Sequence, residues 1–224
     1  MNFEHELKAI CNTKGGPYLR PFRPNVAWAH SKAWIVGSNP ATPLRQEFRS
    51  FDEYWDSLTK NPDVFERTYA NARGDEDSKT TKRVKELCAE LCGINYLVTN
   101  ACAYPVAHNG RVPAEQWAIG EQIFRGLLIC CEPKVIFAHG TKAQRLVERV
   151  FGVALDPYLD PDLQRNTANQ CLLLCAPHLS GAGMRPGATF SADQALPKFA
   201  PRIRSAIVAQ QGAPTEPRKK RAAR

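Results

Sequence analysis

Four short apolar runs, spaced by stretches of helical periodicity, organise the chain. Residues 33–38, 134–138 and 171–176 are apolar at nearly every position and 95–101 at its centre, Tyr96 to Val98, and three of the runs close on polar or turn-forming residues: Gly37 to Pro40, Asn100, and Pro177 with His178. Such runs predict central strands of a parallel sheet, buried on both faces, because a half-exposed strand would alternate apolar with polar positions. Between them, Val84, Leu87, Cys88 and Leu91 predict a helix over about 79–92. Ile119, Ile123, Phe124, Leu127 and Leu128 predict another over 114–131, and Ala143, Leu146, Val147 and Val150 a third after Gly140 and Thr141. The aromatic group Phe48, Phe51, Tyr54 and Trp55 also reads as helical; the stretch from there to about residue 78 has no clear period, and its 71–77 portion reads as an exposed loop.

The ends of the chain read differently. Residues 1–32 carry Pro17, Pro21, Pro24, Gly15 and Gly16 without a sustained period, and are expected to wrap the domain irregularly. Near the other end, Pro197 and Pro201 interrupt the apolar positions and confine the expected last helix to about 202–210. Beyond about residue 212 the composition predicts disorder. Strands alternating with helices imply an α/β fold, a three-layer α/β/α sandwich on a central four-stranded, mostly parallel sheet, forming one domain over 1–211. No repeat of solenoid length occurs.

Composition narrows the setting. With 224 residues and 43% hydrophobic content the chain can bury one substantial core. It shows no secretory signal and no apolar run of bilayer length, so a soluble intracellular protein is expected, cytoplasmic, nucleoid-associated or nuclear. Eight cysteines in that setting are expected as reduced thiols. Cys88 and Cys92 share a spacing of four with Cys171 and Cys175, but the first pair lies in a helical pattern and the second inside an apolar strand, so core thiols are expected rather than a metal site. The formal charge of +8 includes five cations in the last eight residues, Pro217 to Arg224; without those five the remainder is +3, and the body is only mildly basic. Such a tail adds non-specific attraction to phosphate.

The chemistry gathers at the strand ends, because ligands of open α/β sheets bind at the carboxyl edge. Asn39, Asn100 and His178 stand at three of those ends. Neither a dinucleotide-binding glycine fingerprint nor a Walker phosphate loop is present, and there is no Gly-x-Ser-x-Gly elbow.

Taken together, the segment Gly37, Ser38, Asn39, Pro40, Ala41 resembles the first motif of the uracil-DNA glycosylase superfamily in its Asn-Pro version. Val98, Thr99, Asn100 and Ala101 are similar to that family's base-reading strand end, and His178, Leu179, Ser180 and Gly181 to its His-Pro-Ser second motif. Order, spacing and strand context agree over roughly residues 33 to 190.

The resemblance implies an enzyme that flips a nucleotide out of DNA and hydrolyses its N-glycosidic bond, leaving an abasic site, with neither metal nor cofactor. Asn39 would hold the attacking water and His178 would donate to the base oxygen as charge develops. Asn100, with a donor and an acceptor, would read the base edge, helped by Ser38, Ala41 and a stacking Phe51, with Phe48 second. Phe48, Phe51 and Trp55 equally have the spacing of a packed helix face. Gly140 and Thr141 would hold a DNA phosphate at a helix start, or Thr141 would simply cap that helix. His139 is a possible phosphate contact without a catalytic part. Ser180, Gly181 and Gly183 allow close backbone approach, and Met184 or Arg185 would wedge into the gap left by the flipped base. Ala41 stands where uracil-strict members carry a tyrosine that blocks the pyrimidine 5-position, so room for a 5-substituent is expected. Leu179 replaces the usual proline. The expected substrate is uracil or a 5-substituted or otherwise modified pyrimidine in single- or double-stranded DNA, the expected state a monomer without membrane contact. Two other classes remain open: a non-catalytic module that recognises flipped or damaged bases, and a hydrolase of free nucleosides.

Overall fold

The apolar runs form a parallel sheet in which sequence neighbours are not always spatial neighbours. The computed structural model describes residues 3–74, 77–107, 110–181 and 192–211. Strands β1 (Ala33–Gly37), β2 (Tyr96–Asn100), β3 (Val135–His139), β4 (Thr167–Ala168) and β5 (Cys171–Ala176) make one sheet in the order β2-β1-β3-β5-β4. All pairings are parallel except that of β4 with β5. Among the described residues the sheet thus has five strands rather than the four expected. Asn169 and Gln170, with φ of 51° and 63°, close a two-residue hairpin between β4 and β5, a turn that needs two left-handed residues. A two-residue strand has no periodicity to detect.

Seven helices flank the sheet among the described residues: α1 (Phe3–Cys11), α2 (Phe51–Thr59), α3 (Pro62–Arg73), α4 (Lys79–Glu90), α5 (Ala114–Cys131), α6 (Thr141–Phe151) and α7 (Ala192–Gln211). Alternation along each strand sends Trp34, Val36, Leu97, Ile136, Ala138, Leu173 and Cys175 to one face, where residues of α1, α2, α5 and α6 cover them. Ile35, Val135, Phe137, Leu172 and Leu174 go to the other, under α4 and α7. The result is the expected three-layer α/β/α sandwich.

Three local expectations are corrected. Residues 3–11 are helical, with Leu7 and Cys11 one turn apart and both buried. The stretch expected to be irregular up to residue 78 holds α3, which starts on Pro62 and buries Phe65 one turn ahead of the partly buried Tyr69. Its other positions are mostly polar, so the apolar stripe is too narrow to stand out. Helix α7 runs through Pro197 and Pro201 instead of starting after them. Both prolines face solvent, where water can satisfy the carbonyls they leave unpaired, while Leu196, Phe199, Ala200, Ile203 and Ile207 bury the opposite face.

The sheet edges are covered by non-strand groups. Along β2, Arg23 N–H donates to Val98 O at 2.8 Å, Asn25 Nδ2 to Tyr96 O at 2.8 Å, and Thr99 Oγ1 to Pro21 O at 2.6 Å. Along β5, the buried Gln164 amide takes the place of a strand: its Oε1 accepts from Cys175 N–H at 2.8 Å and its Nε2 donates to Cys175 O at 2.9 Å.

All eight cysteines are free. Burial raises the pKa of Cys88, and pushes those of Cys171 and Cys175 up to about 12, which disfavours the thiolate a metal would need. Among the described residues, no group of three or more potential ligands could hold a metal ion, and no helix is long and apolar enough to cross a membrane.

Candidate functional site

The strand register brings polar residues of separate segments into one row. Gly37 pairs with Asn100, Val36 with Ala138, and His139 with Ala176. Asn100, Gly37, His139 and Ala176 therefore end their strands side by side, on the α4/α7 face. Gly37 is the gap in that row. A Cβ there would lie 2.8 Å from Asn100 Oδ1 and 3.2 Å from His139 Nε2, so only a glycine lets the two side chains converge. The row borders a cleft of about 280 Å³ at the point where the strand order reverses from β1–β2 to β1–β3. Asn39, Asn100 and His178, predicted from three distant segments, all line it, as do Ser38 and Ala41.

Asn39 is held by its own loop and by the segment after β2. Ala101 N–H donates to Gly37 O at 2.8 Å, Cys102 N–H to Ser38 O at 3.0 Å, and Val106 N–H to Pro40 O at 3.2 Å, so pairing continues beyond the strands. The Asn39 Nδ2 donates to Pro40 O at 3.1 Å and its Oδ1 accepts from Ser38 Oγ at 3.2 Å. Ser38 thus orients Asn39. A second support comes from Arg20, only 6% exposed, whose guanidinium donates to Ala41 O and to Thr42 O and lies over the Tyr69 ring at 4.9 Å and the Phe65 ring at 5.5 Å.

His178 follows β5 in a tight turn, with Gly181 N–H donating to His178 O at 2.9 Å. Its Nδ1 accepts from Ser180 N–H at 3.2 Å and lies 2.7 Å from Ser180 Oγ. A backbone N–H can only donate, so Nδ1 carries the lone pair and the neutral ring has its proton on Nε2. Burial lowers the His178 pKa below the usual histidine value, which favours this neutral form. Leu179 is buried against the α4/α7 layer and its carbonyl accepts from Arg83, which anchors the loop where a proline was the family's expectation.

His139 is corrected from a phosphate contact to a buried residue of the cleft. It is 4% exposed, its Nδ1 has no hydrogen-bond partner among the described residues, and its ring meets His178 edge-on with centroids 5.6 Å apart. Burial, and secondarily the neighbouring His178, push its pKa down to about 3.

Phe51 is corrected as a stacking candidate. It begins α2 and packs against Tyr18, Tyr54 and Trp55, with ring centroids 5.1–6.1 Å away, and does not line the cleft. Phe48 likewise packs on Tyr54 and Phe65. The helical spacing of these aromatics marked a core face. The aromatic residues that do line the cleft are Phe22, Phe65 and Tyr69. Phe22 was hidden in the proline-rich segment and is brought in by its bridge to Thr99; Tyr69 was hidden in α3.

Gly140 is the cap residue of α6, so Thr141 is the first helical residue and not the cap; its side chain is exposed, and neither residue lines the cleft. Ser180 and Gly181 flank His178, while Gly183, Met184, Arg185 and the basic tail lie outside the described residues. Glu66 is the one carboxylate lining the cleft among the described residues, and Arg23 pairs with it at 3.2 Å. What the cleft offers is two amides, a neutral imidazole with its proton on Nε2, and a second, uncharged imidazole. That set suits polar recognition and stabilisation of developing negative charge. No protein-family model matches the chain, and no curated protein matches it significantly.

Proposed function

We propose that this protein is a monofunctional DNA glycosylase of the uracil-DNA glycosylase type, which takes a flipped uracil or 5-substituted pyrimidine into the cleft and hydrolyses its glycosidic bond. The observation that carries the reading is the meeting of Asn39, Asn100 and His178 in one cleft, with His178 in the Nε2–H form. At about 280 Å³ the cleft lies near the lower end of small-ligand sites, roughly 300–1,000 Å³, which suits a single base.

In this reading the base leaves as an anion and the sugar develops oxocarbenium character. Nε2–H of His178 donates to the base O2 as charge accumulates there; a neutral donor suffices because the charge appears only as the bond breaks. Asn39 Oδ1, turned by Ser38, retains a second lone pair that can hold a water at the anomeric carbon. An amide is a weak base, so leaving-group stabilisation supplies most of the rate. Asn100 reads the base edge, and the exposed Ala41 leaves space beside the pyrimidine 5-position. Flipping costs a few kcal/mol of unstacking, offset by these contacts. DNA phosphates lie along the Gly140–Thr141 helix start and the Ser180–Gly181 turn. DNA is the partner, and the protein acts as an intracellular monomer.

The test is base release from oligonucleotides carrying uracil and a panel of modified pyrimidines, read as alkali-labile sites. His178→Ala and Asn39→Ala should each slow release by about 10²–10³-fold. Intact single- and double-stranded substrates across the panel would overturn the reading. Salt-sensitive binding without release would instead indicate a binding module, and release from a free nucleoside but not from DNA would indicate a nucleoside hydrolase.

A further inference from the structure

We propose that Arg20 is a specificity residue for an acidic group on the base, so that the preferred substrate is a pyrimidine carrying a carboxylate at position 5. This rests on the glycosylase reading of the same cleft. Arg20 lines the cleft, is 6% exposed and is always a cation. Glu66, the one carboxylate lining the cleft among the described residues, is taken by Arg23 at 3.2 Å. Among the described residues no acid pairs with Arg20. The faces of Tyr69 and Phe65 stabilise its guanidinium but bring no counter-charge. A buried charge is ordinarily paired, because it has lost the water that would solvate it. The occupant of the cleft therefore supplies the negative charge.

The guanidinium stands on the side of the cleft where position 5 lies. Its Nη2 donates to Ala41 O and Thr42 O, and the Arg20 backbone N–H donates to Ala103 O at 2.8 Å, just beyond β2. Arg20 thus sits between the Ala41 turn and the end of the strand that carries Asn100. With the Asn100 amide on O4 and position 3, and His178 on O2, the next ring atom past O4 is C5, turned toward Ala41 and Arg20. Neither Nε nor Nη1 makes a hydrogen bond among the described residues; Nε is buried, so Nη1 is the donor left for a ligand. A DNA phosphate carries the same charge, but the phosphodiester chain stays at the mouth while the base alone enters a cleft of about 280 Å³. Only a group carried on the base goes in with it. The pairing also serves the chemistry: a carboxylated base leaves with two negative charges instead of one, and a cation beside it offsets the second.

Two measurements test this. In the first, the wild-type protein is titrated with free uracil-5-carboxylate, with its neutral analogue uracil-5-carboxamide, and with uracil. The carboxylate should bind about 10- to 100-fold more tightly than the carboxamide, the range of a charge-assisted hydrogen bond. In the second, kcat/KM for release of 5-carboxyuracil and of 5-methyluracil is compared in one oligonucleotide sequence. Because Arg20 also holds the Asn39 loop, its variants slow both reactions, and the readout is the ratio. Arg20→Gln should lower the ratio by about 10- to 100-fold, whereas Arg20→Lys, which keeps the charge, should slow both reactions and retain most of the preference. Thermal melts identify a variant that is merely unfolded, and the wild-type titration decides without one. A carboxylate bound no more tightly than the carboxamide overturns the inference, as does a ratio that folded Arg20→Gln leaves unchanged. If that variant weakens binding to every oligonucleotide alike and reduces the salt slope by about one, Arg20 holds a DNA phosphate and the inference also fails. Carboxylate preference among the free bases without release from any DNA keeps the acidic subsite and overturns the glycosylase reading; release of uracil without that preference does the reverse.

Discussion

Gly140 and His178 touch so closely that a single methyl group would separate them: a Cβ at position 140 would stand 2.7 Å from His178 Cδ2, and the residue has φ of +83°. The glycine that starts α6 therefore also lets the imidazole settle over the end of β3.

Gly140→Ala meets both constraints. A left-handed alanine and the contact with His178 should together cost about 1–3 kcal/mol, measured by denaturant unfolding. Base release in the proposed reaction should fall further than stability accounts for, because the displaced ring no longer aims Nε2–H at the base. Equal losses in the two measurements would mean that the glycine matters only for the backbone.

Acid should destabilise the protein well above the carboxylate range. Histidine in the unfolded chain titrates near 6.5, whereas His139 in the fold titrates at about 3, so the unfolded chain binds one more proton between those values. Stability is thus full above pH 6.5 and falls by about 1.4 kcal/mol per unit as the pH drops toward 3, with His178 adding in the same direction. His139→Gln should flatten this slope in a pH series of urea titrations.

Arg20 supports the Asn39 loop through two carbonyls and two aromatic rings. Arg20→Lys keeps the charge but loses the planar fork and the stacking, so a loss of about 1–2 kcal/mol is expected. Since Ala41 and Thr42 directly follow Asn39 and Pro40, base release should drop with a mainly kcat effect. An unchanged kcat would show that the loop holds itself.

The two phenylalanines should separate by their readouts. Phe51→Leu loosens the Tyr18, Tyr54 and Trp55 cluster and should lower the melting temperature while leaving the KM for a modified oligonucleotide near wild type. Phe22→Leu removes an aromatic wall of the cleft and should raise KM as well. A KM effect at Phe51 and none at Phe22 would reverse the assignment.

Sequence pattern alone determined the four long strands, of which β2 lies at the sheet edge rather than in its centre, the helices from 79 onward to 151, and the polar residues Asn39, Asn100 and His178. These are local properties: an apolar run of strand length, a 3.6-residue stripe, and the polar residue that ends each run. Helices α1 and α3 bury too few side chains to leave a stripe, and β4 is too short to have a period, so their positions came from packing. The site divides in the same way. Which residues end the strands is written in the chain, but which strands are neighbours depends on pairing across long separations, and that pairing alone put His139 beside Gly37 and Asn100. Burial then did what composition could not: it stripped water from the His139 ring, pushed Phe51 into an aromatic core, and drew Phe22, Arg20 and Tyr69 to the cleft from segments that carry no periodic signal.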